Sequence, residues 1–434
     1  MSAARRRTLV TLAAAVIALA TTASAAAQPT VRERLDNGLT VLIRENPLAP
    51  VVAISLMIEM GTRWERPENA GISNFVHAVM VKGTTKRSGG QLADAVAALG
   101  GKISAAGDVD YSEVRASALA RFWRQLLELT AELALSPALL PAEVENERDW
   151  LLSRVQKRRD SANDRAFDEL FAALYGNHPY ALPILGTTES LKRIDHAAIV
   201  AHYRASYRPE RMKLAVSGQV TAGEVMPEVR RLFGGLVGGG SIADAPIPPP
   251  VAGAKRLVVE QPAQQAQILV GGIGPRIADR DFAAVKVLST VLGGGMAGRL
   301  FADLRDKQAL AYTASAFFDP VREPGALILY LGTAPANAAR AEEALGKEIE
   351  RIRSQPVGAD ELKRAKGYLL GNYEMDRRTN ARQAWYLGFY EVEMVGQGFP
   401  DAYRRAVEAV TPEDVLRVAR AYLGTRTTVV LRPR

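Results

Sequence analysis

Four histidines and not one cysteine are the nitrogen and sulfur donors that this 434-residue chain could offer a metal. A zinc site needs three or four such groups, or carboxylates beside them, at spacings that bring them together. His196 and His202 form the one close pair, and six residues apart on a helix they fall on different faces. His77 and His178 lack His or Cys neighbours at ligand spacing, and His77 reads as a packing or hydrogen-bonding residue. The run GGGMAGR, Gly293 to Arg299, lacks the Gly-Lys-Ser/Thr ending of a phosphate loop and the setting of a dinucleotide fingerprint. Its glycines read as a tight connection. Arg305 and Tyr312 carry donors suited to a carbonyl oxygen or carboxylate and to a developing oxyanion. On residue type alone, a surface salt bridge and a half-buried ring are the simpler account of them.

The elements that must position these residues show a repeated plan. The stretch from Gly234 to Gly253, GGLVGGGSIADAPIPPPVAG, is rich in Gly and Pro and reads as a linker. On each side, β-type segments lead into amphipathic helices, and each half closes on a helix followed by a strand. In the first half, Asp195 caps a helix that gives way to the apolar strand Met212–Val216. In the second, Thr411 caps, Pro412 takes the first helical position, and a β-branched strand follows around Thr427–Leu431. Between these ends, LTVLIREN and VVAISLMIEMG are strand-like. A helix begins near Asn69 or Gly71, with Ile72, Phe75, Val76 and Val79 on one apolar stripe. Further helices are expected at GGQLADAVAALG, at RFWRQLLELTAELAL, and over a long stretch from Pro141 to Arg159. The mixed order argues for α+β: two homologous domains, each a mainly antiparallel sheet packed with helices. The boundaries are 28–233, a linker at 234–254, and 255–434.

The first 27 residues read as a secretory signal peptide, with Arg5, Arg6 and Arg7 followed by a short Ala-rich apolar stretch and small residues before Gln28. The protein is therefore expected to be exported, to the periplasm, with no transmembrane segment in the mature chain. Without cysteines, stability after export must come from packing alone. The formal charge of +8 includes the three arginines of the leader. What remains is mild, and the basic residues are scattered, so a nucleic-acid partner is not expected.

Several blocks carry a resemblance. The run MGTRWERPENAGISNFVHAVMVKGTTKRSGGQLADAVAALGGKISA, the segment PILGTTESLKRI, and the block LGGGMAGRLFADLRDKQALAY from Leu292 to Tyr312 occur in the order found in pitrilysin/insulinase-type zinc peptidases, the inverzincins. The chain is most similar to the bacterial relatives of mitochondrial processing peptidase, over nearly the whole mature sequence. Active members carry His-x-x-Glu-His on the first helix, where two His bind zinc and the Glu polarises the attacking water. In this chain the first His position is Asn74, the Glu position is His77, and the second His position is Ala78. The family's third ligand, a Glu seven residues after another acid, corresponds to Arg154, with Glu147 as the retained acid. An amide, a methyl and a guanidinium make a poor zinc cage.

The resemblance also implies a role for Arg305 and Tyr312, which match the family's substrate-contacting Arg and Tyr. It implies a non-catalytic, substrate-binding subunit that holds no cofactor itself and pairs with a homologous subunit bearing the zinc motif, in a metalloendopeptidase acting on peptides or unfolded segments. Two alternatives stay open: an active zinc peptidase with ligands from other positions, and a structural or assembly protein of the same fold.

Overall fold

The computed structural model describes residues 30–239, 247–251 and 253–434. The leader, and positions 240–246 and 252 of the linker, lie outside the described residues. The chain forms two sheets, one in each half. The first contains β1 (Thr30–Arg34), β2 (Thr40–Glu45), β3 (Val51–Ile58), β4 (Lys102–Gly107), β5 (Ser112–Leu119) and β6 (Met212–Gly218), in the order β1-β2-β6-β3-β5-β4. The second contains β7 (Lys255–Gln261), β8 (Ala266–Ile273), β9 (Thr313–Phe318), β10 (Ala326–Thr333) and β11 (Thr427–Pro433), in the order β7-β11-β8-β10-β9.

Apart from the added edge strand β1, the two orders follow the same path. In each half the closing strand inserts between the opening pair, β6 between β2 and β3, and β11 between β7 and β8. It runs parallel to the first of them and antiparallel to the second. Among the described residues these are the only parallel pairings in either sheet, which agrees with an α+β fold whose sheets are mainly antiparallel. A parallel partner needs a long crossover, and the helices supply it. The helix before each closing strand is capped as its sequence requires. Asp195 accepts from Ala198 N, and Thr411 and Asp414 form a reciprocal capping box with Pro412 at the first position.

Each sheet is covered on one face by a helix from the other half. Helix Asn380–Val392 lies on β3 and β6, where Ala384 and Leu387 pack among Leu42, Ala53 and Ala215. Asn380 at its start donates to Val51 O at 2.9 Å and accepts from Asn46 at 2.7 Å. In return, helix Ala162–Tyr175 lies on β8 and β11, with Leu170 and Leu174 among Leu269, Ile328, Val429 and Leu431. Gly271 makes room for this crossing, since a Cβ there would stand 2.8 Å from a Leu174 methyl. Every residue of β6 is buried, as expected of a strand with both faces covered. Each such large apolar side chain contributes roughly 1.5–3 kcal/mol, and much of this burial crosses between the halves. Among the described residues, no helix is long and apolar enough to cross a membrane.

Candidate functional site

The helix expected near Gly71 spans Ile72–Met80. Its entry is set by two glycines in contact. Gly71 has φ of 85° and Gly186 has φ of 78°; a Cβ on Gly71 would stand 2.5 Å from Gly186 N, and one on Gly186 would stand 2.4 Å from Ala70 O. Only glycine fits both the backbone conformation and the space. Glu65 replaces the missing side-chain cap: its carboxylate accepts from Gly71 N at 2.7 Å and from Ser73 N at 2.9 Å. Burial pushes this carboxyl above its usual range, opposed by those hydrogen bonds.

Asn74 and Ala78, one turn apart, share a half-buried face of the helix. Strand β4 lies against it, so close that a Cβ on Gly107 would be 3.0 Å from Asn74 N. His77 points elsewhere and is fully enclosed. Its Nδ1 donates to Ser73 O at 2.6 Å, and its Nε2 accepts from the Tyr207 hydroxyl at 2.7 Å. Burial lowers its pKa to about 4, so the ring is neutral. Ser73 Oγ is in turn hydrogen-bonded to His202 Nε2 at 3.1 Å, and burial lowers His202 to about 4 as well. The chain His202–Ser73–His77–Tyr207 is thus a closed set of polar contacts between this helix and helix His196–Ser206. Sequence spacing did not disclose it, because Tyr207 and Ser73 carry no pattern that marks them as partners of a histidine. His196, on another face, donates from Nε2 to Leu139 O at 2.8 Å.

The long helix is Pro141–Asp160. Glu147 is buried, with Lys82 Nζ at 2.5 Å from its carboxylate. Arg154 is exposed and stacks its guanidinium 4.7 Å over the Trp150 ring one turn back. Arg148, between them, donates to Leu191 O and lies over Phe75, tying the long helix to the shorter one. This donor set is a poor match for zinc. Asn74, Ala78 and Arg154 supply no imidazole or carboxylate, both His77 nitrogens are engaged, and among the described residues no three His, Asp or Glu side chains gather as a metal site. The residues do not fit the ion.

Arg305 lies in a π-helix, Leu300–Lys307, which no periodicity in the sequence marked. Its guanidinium covers the Phe301 ring at 4.5 Å. Tyr312 is 63% exposed, and its backbone N donates to Gly332 O at 2.8 Å, fixing the residue at the head of β9. Among the described residues, neither side chain takes part in an ion pair or a side-chain hydrogen bond. The salt bridge and half-buried ring considered for them are therefore not what the fold contains. The Gly-rich run before the π-helix serves packing: a Cβ on Gly293 would collide with Ala316 N, and Arg299 forms a bidentate pair with Glu361 at 2.7 and 2.8 Å.

Comparison with known proteins accords with this geometry. The family model described as Insulinase (Peptidase family M16) matches residues 40–188, and the one described as Peptidase M16 inactive domain matches residues 193–369. An uncharacterized zinc protease of Mycobacterium tuberculosis is 29% identical over 405 residues, 93% of this chain and 92% of that protein. One from Bacillus subtilis is 26% identical over 354 residues, 81% and 86% of the two chains. Among solved structures, a protease from Helicobacter pylori superposes with a TM-score of 0.87 at 23% identity, covering 94% of this chain and 100% of its own. A peptidase M16 inactive domain from Pseudomonas fluorescens gives 0.86 at 21%, covering 93% and 98%. With both halves matched by models of one family and the whole fold shared, the chain belongs to the M16 family of insulinase/pitrilysin-type peptidases.

Proposed function

We propose that this chain is a non-catalytic, substrate-binding subunit of an exported zinc metalloendopeptidase that acts on peptides or unfolded segments. The observation that carries the reading is the contrast between two places in the chain. Where the family's ligands belong stand Asn74, Ala78 and Arg154, whereas Arg305 and Tyr312 are kept and exposed, Arg305 lying over the Phe301 ring with its N–H donors free of protein acceptors among the described residues. A homologous subunit bearing the zinc motif would supply the metal that activates water. Arg305 would hold a peptide carbonyl or carboxylate through its planar donors, and Tyr312 would donate a hydrogen bond to an oxygen that gains charge. The basic, apolar and small-residue order of the first 27 residues supports export to the periplasm.

The test is to purify the chain alone and with a zinc-motif homologue from the same cell, and to measure bound zinc and cleavage of an unfolded peptide. The expected result is cleavage by the mixed complex, reduced when Arg305→Ala is combined with Tyr312→Phe. Zinc-dependent cleavage by the lone chain would overturn the reading. Undiminished cleavage by the double variant would favour the structural or assembly alternative.

A further inference from the structure

A second place in the molecule has the chemistry of a binding site. Where the halves meet, a cavity of about 330 Å³ is lined by Asp108, Asp110, Tyr111, Asp319, Trp385 and Glu393, among others. The first three come from the turn between β4 and β5, Asp319 from the end of β9, and the last two from helix Asn380–Val392 and its C-terminal cap. Four carboxyl groups face this space, and among the described residues lining it there is no Lys, Arg or His.

Two of the acids are engaged. Asp110 accepts from the Tyr180 hydroxyl at 2.5 Å and from Arg322 N at 3.1 Å, and Asp108 accepts from Val109 N at 2.7 Å. Glu393 is different: it is only 2% exposed, and its buried Oε2 has no hydrogen-bond partner. A buried carboxyl oxygen without a partner costs on the order of 1–3 kcal/mol, and a ligand that donates to it would recover that cost. Aromatic rings share the lining. Trp385 stacks on Phe389 with centroids 4.5 Å apart, Tyr111 meets both edge-on, and Trp385 Nε1 donates to Tyr111 Oη at 3.1 Å, fixing the rings. Phe389 takes one face of Trp385 and the Arg382 guanidinium, 4.2 Å from the ring centroid, takes the other, so Tyr111 is the ring left beside the carboxylates, and acids beside an aromatic ring favour an organic cation. The acids do not gather closely enough to make a metal site, which favours an extended cation over a bare ion.

We propose that this cavity binds a small organic cation, an alkylammonium or guanidinium group, between the Glu393 and Asp319 carboxylates and beside the Tyr111 ring. Such a group is carried equally by a free amine and by a basic peptide side chain. Arg305, Tyr312, Asn74 and Ala78 do not line this cavity, and the proposal does not depend on the function proposed above.

The groups facing Glu393 give binding a direction in pH. Burial, with Asp110 and Asp108 nearby, pushes its carboxyl well above the usual range, while Arg322 and Arg63 act the other way. Burial also brings Asp110 up to about 6. Tyr111 and Tyr180 stay protonated, burial holding their pKa above the ordinary value. A cation must therefore displace a proton to enter, and binding strengthens as pH rises.

Calorimetric titration of the full chain with agmatine, and separately with the tripeptide Gly-Arg-Gly, tests this. Saturable binding is expected, tighter at pH 8 than at pH 6, with a heat that varies with the ionisation enthalpy of the buffer. Glu393→Gln and Asp319→Asn should each weaken it about tenfold, equivalent to 1.4 kcal/mol, with thermal melts showing that both variants are folded. Agmatine binding without tripeptide binding identifies a free amine as the ligand; tighter binding of the tripeptide identifies a peptide side chain. Absence of saturable heat with both probes, or affinity unchanged in both folded variants, would overturn the proposal.

Discussion

His77 Nε2 lies 2.7 Å from the Tyr207 hydroxyl in a core closed to solvent, and the neutral ring this bond requires links stability to pH. Burial places the folded pKa of His77 at about 4, below its ordinary 6.5. Its contribution is fully present above the unfolded pKa. As pH falls from 6.5 toward 4, the unfolded chain takes up a proton that the folded chain refuses, and stability drops by about 1.4 kcal/mol per pH unit. Buried carboxyls such as Glu65 and Asp110, held high, act in the opposite sense, so the comparison must be with a variant. Urea unfolding of wild type and His77→Gln at pH 7.5, 6 and 5 should show the wild-type advantage shrinking as pH falls. A constant difference refutes the assignment.

Tyr207→Phe leaves the His77 acceptor in place and removes its donor. The expected cost is about 1–3 kcal/mol, seen as a lower urea midpoint at unchanged m-value. An unchanged midpoint would mean that water or another group satisfies Nε2.

Gly71→Ala and Gly186→Ala should each destabilise more than a surface change would. Both place a Cβ against backbone at a positive φ, and loss of 2 kcal/mol or more, on the order of the larger mutational effects, is expected in thermal or urea melts. Gly223→Ala, where a Cβ meets nothing within 4 Å, is the matched control.

The halves should not fold apart. Expressed separately, residues 30–233 and 255–434 each lose the helix that covers one face of their sheet, exposing Leu42 and Ala215 in one and Leu269 and Val429 in the other. Insoluble or dye-binding halves that become soluble on co-expression are the expected outcome. Two independently stable monomers would contradict the packing described.

Arg305→Ala and Tyr312→Phe should leave the melting of the chain nearly unchanged, within the roughly 0.5 kcal/mol typical of exposed positions. Large destabilisation by either would assign the pair to stability instead of to peptide contact.

Much of this was legible from residues alone, where local chemistry decides. The strand expected at Met212–Val216 extends to Gly218, the long helix ends at Asp160 one residue past expectation, and the Asp195 and Thr411 caps form as their side chains dictate. What was not legible depends on partners hundreds of residues away. Helix Asn380–Val392 carries no mark that it will cover β3, and in β6 the alternation sets Lys213 and Ser217 on one face with Ala215, a pattern that does not announce cover on both sides. The π-helix around Arg305 and the Ser73–His202 contact escaped for the same reason: each is set by tertiary packing, not by period or spacing.

The exchanged helices have a mechanical meaning. Swinging the two sheets apart would strip Leu170 and Leu174 from one and Ala384 and Leu387 from the other, so the single chain has no hinge between its halves that can open at small cost. If the chain works as proposed, the gate for a polypeptide lies at the seam with its partner subunit and not between its own halves.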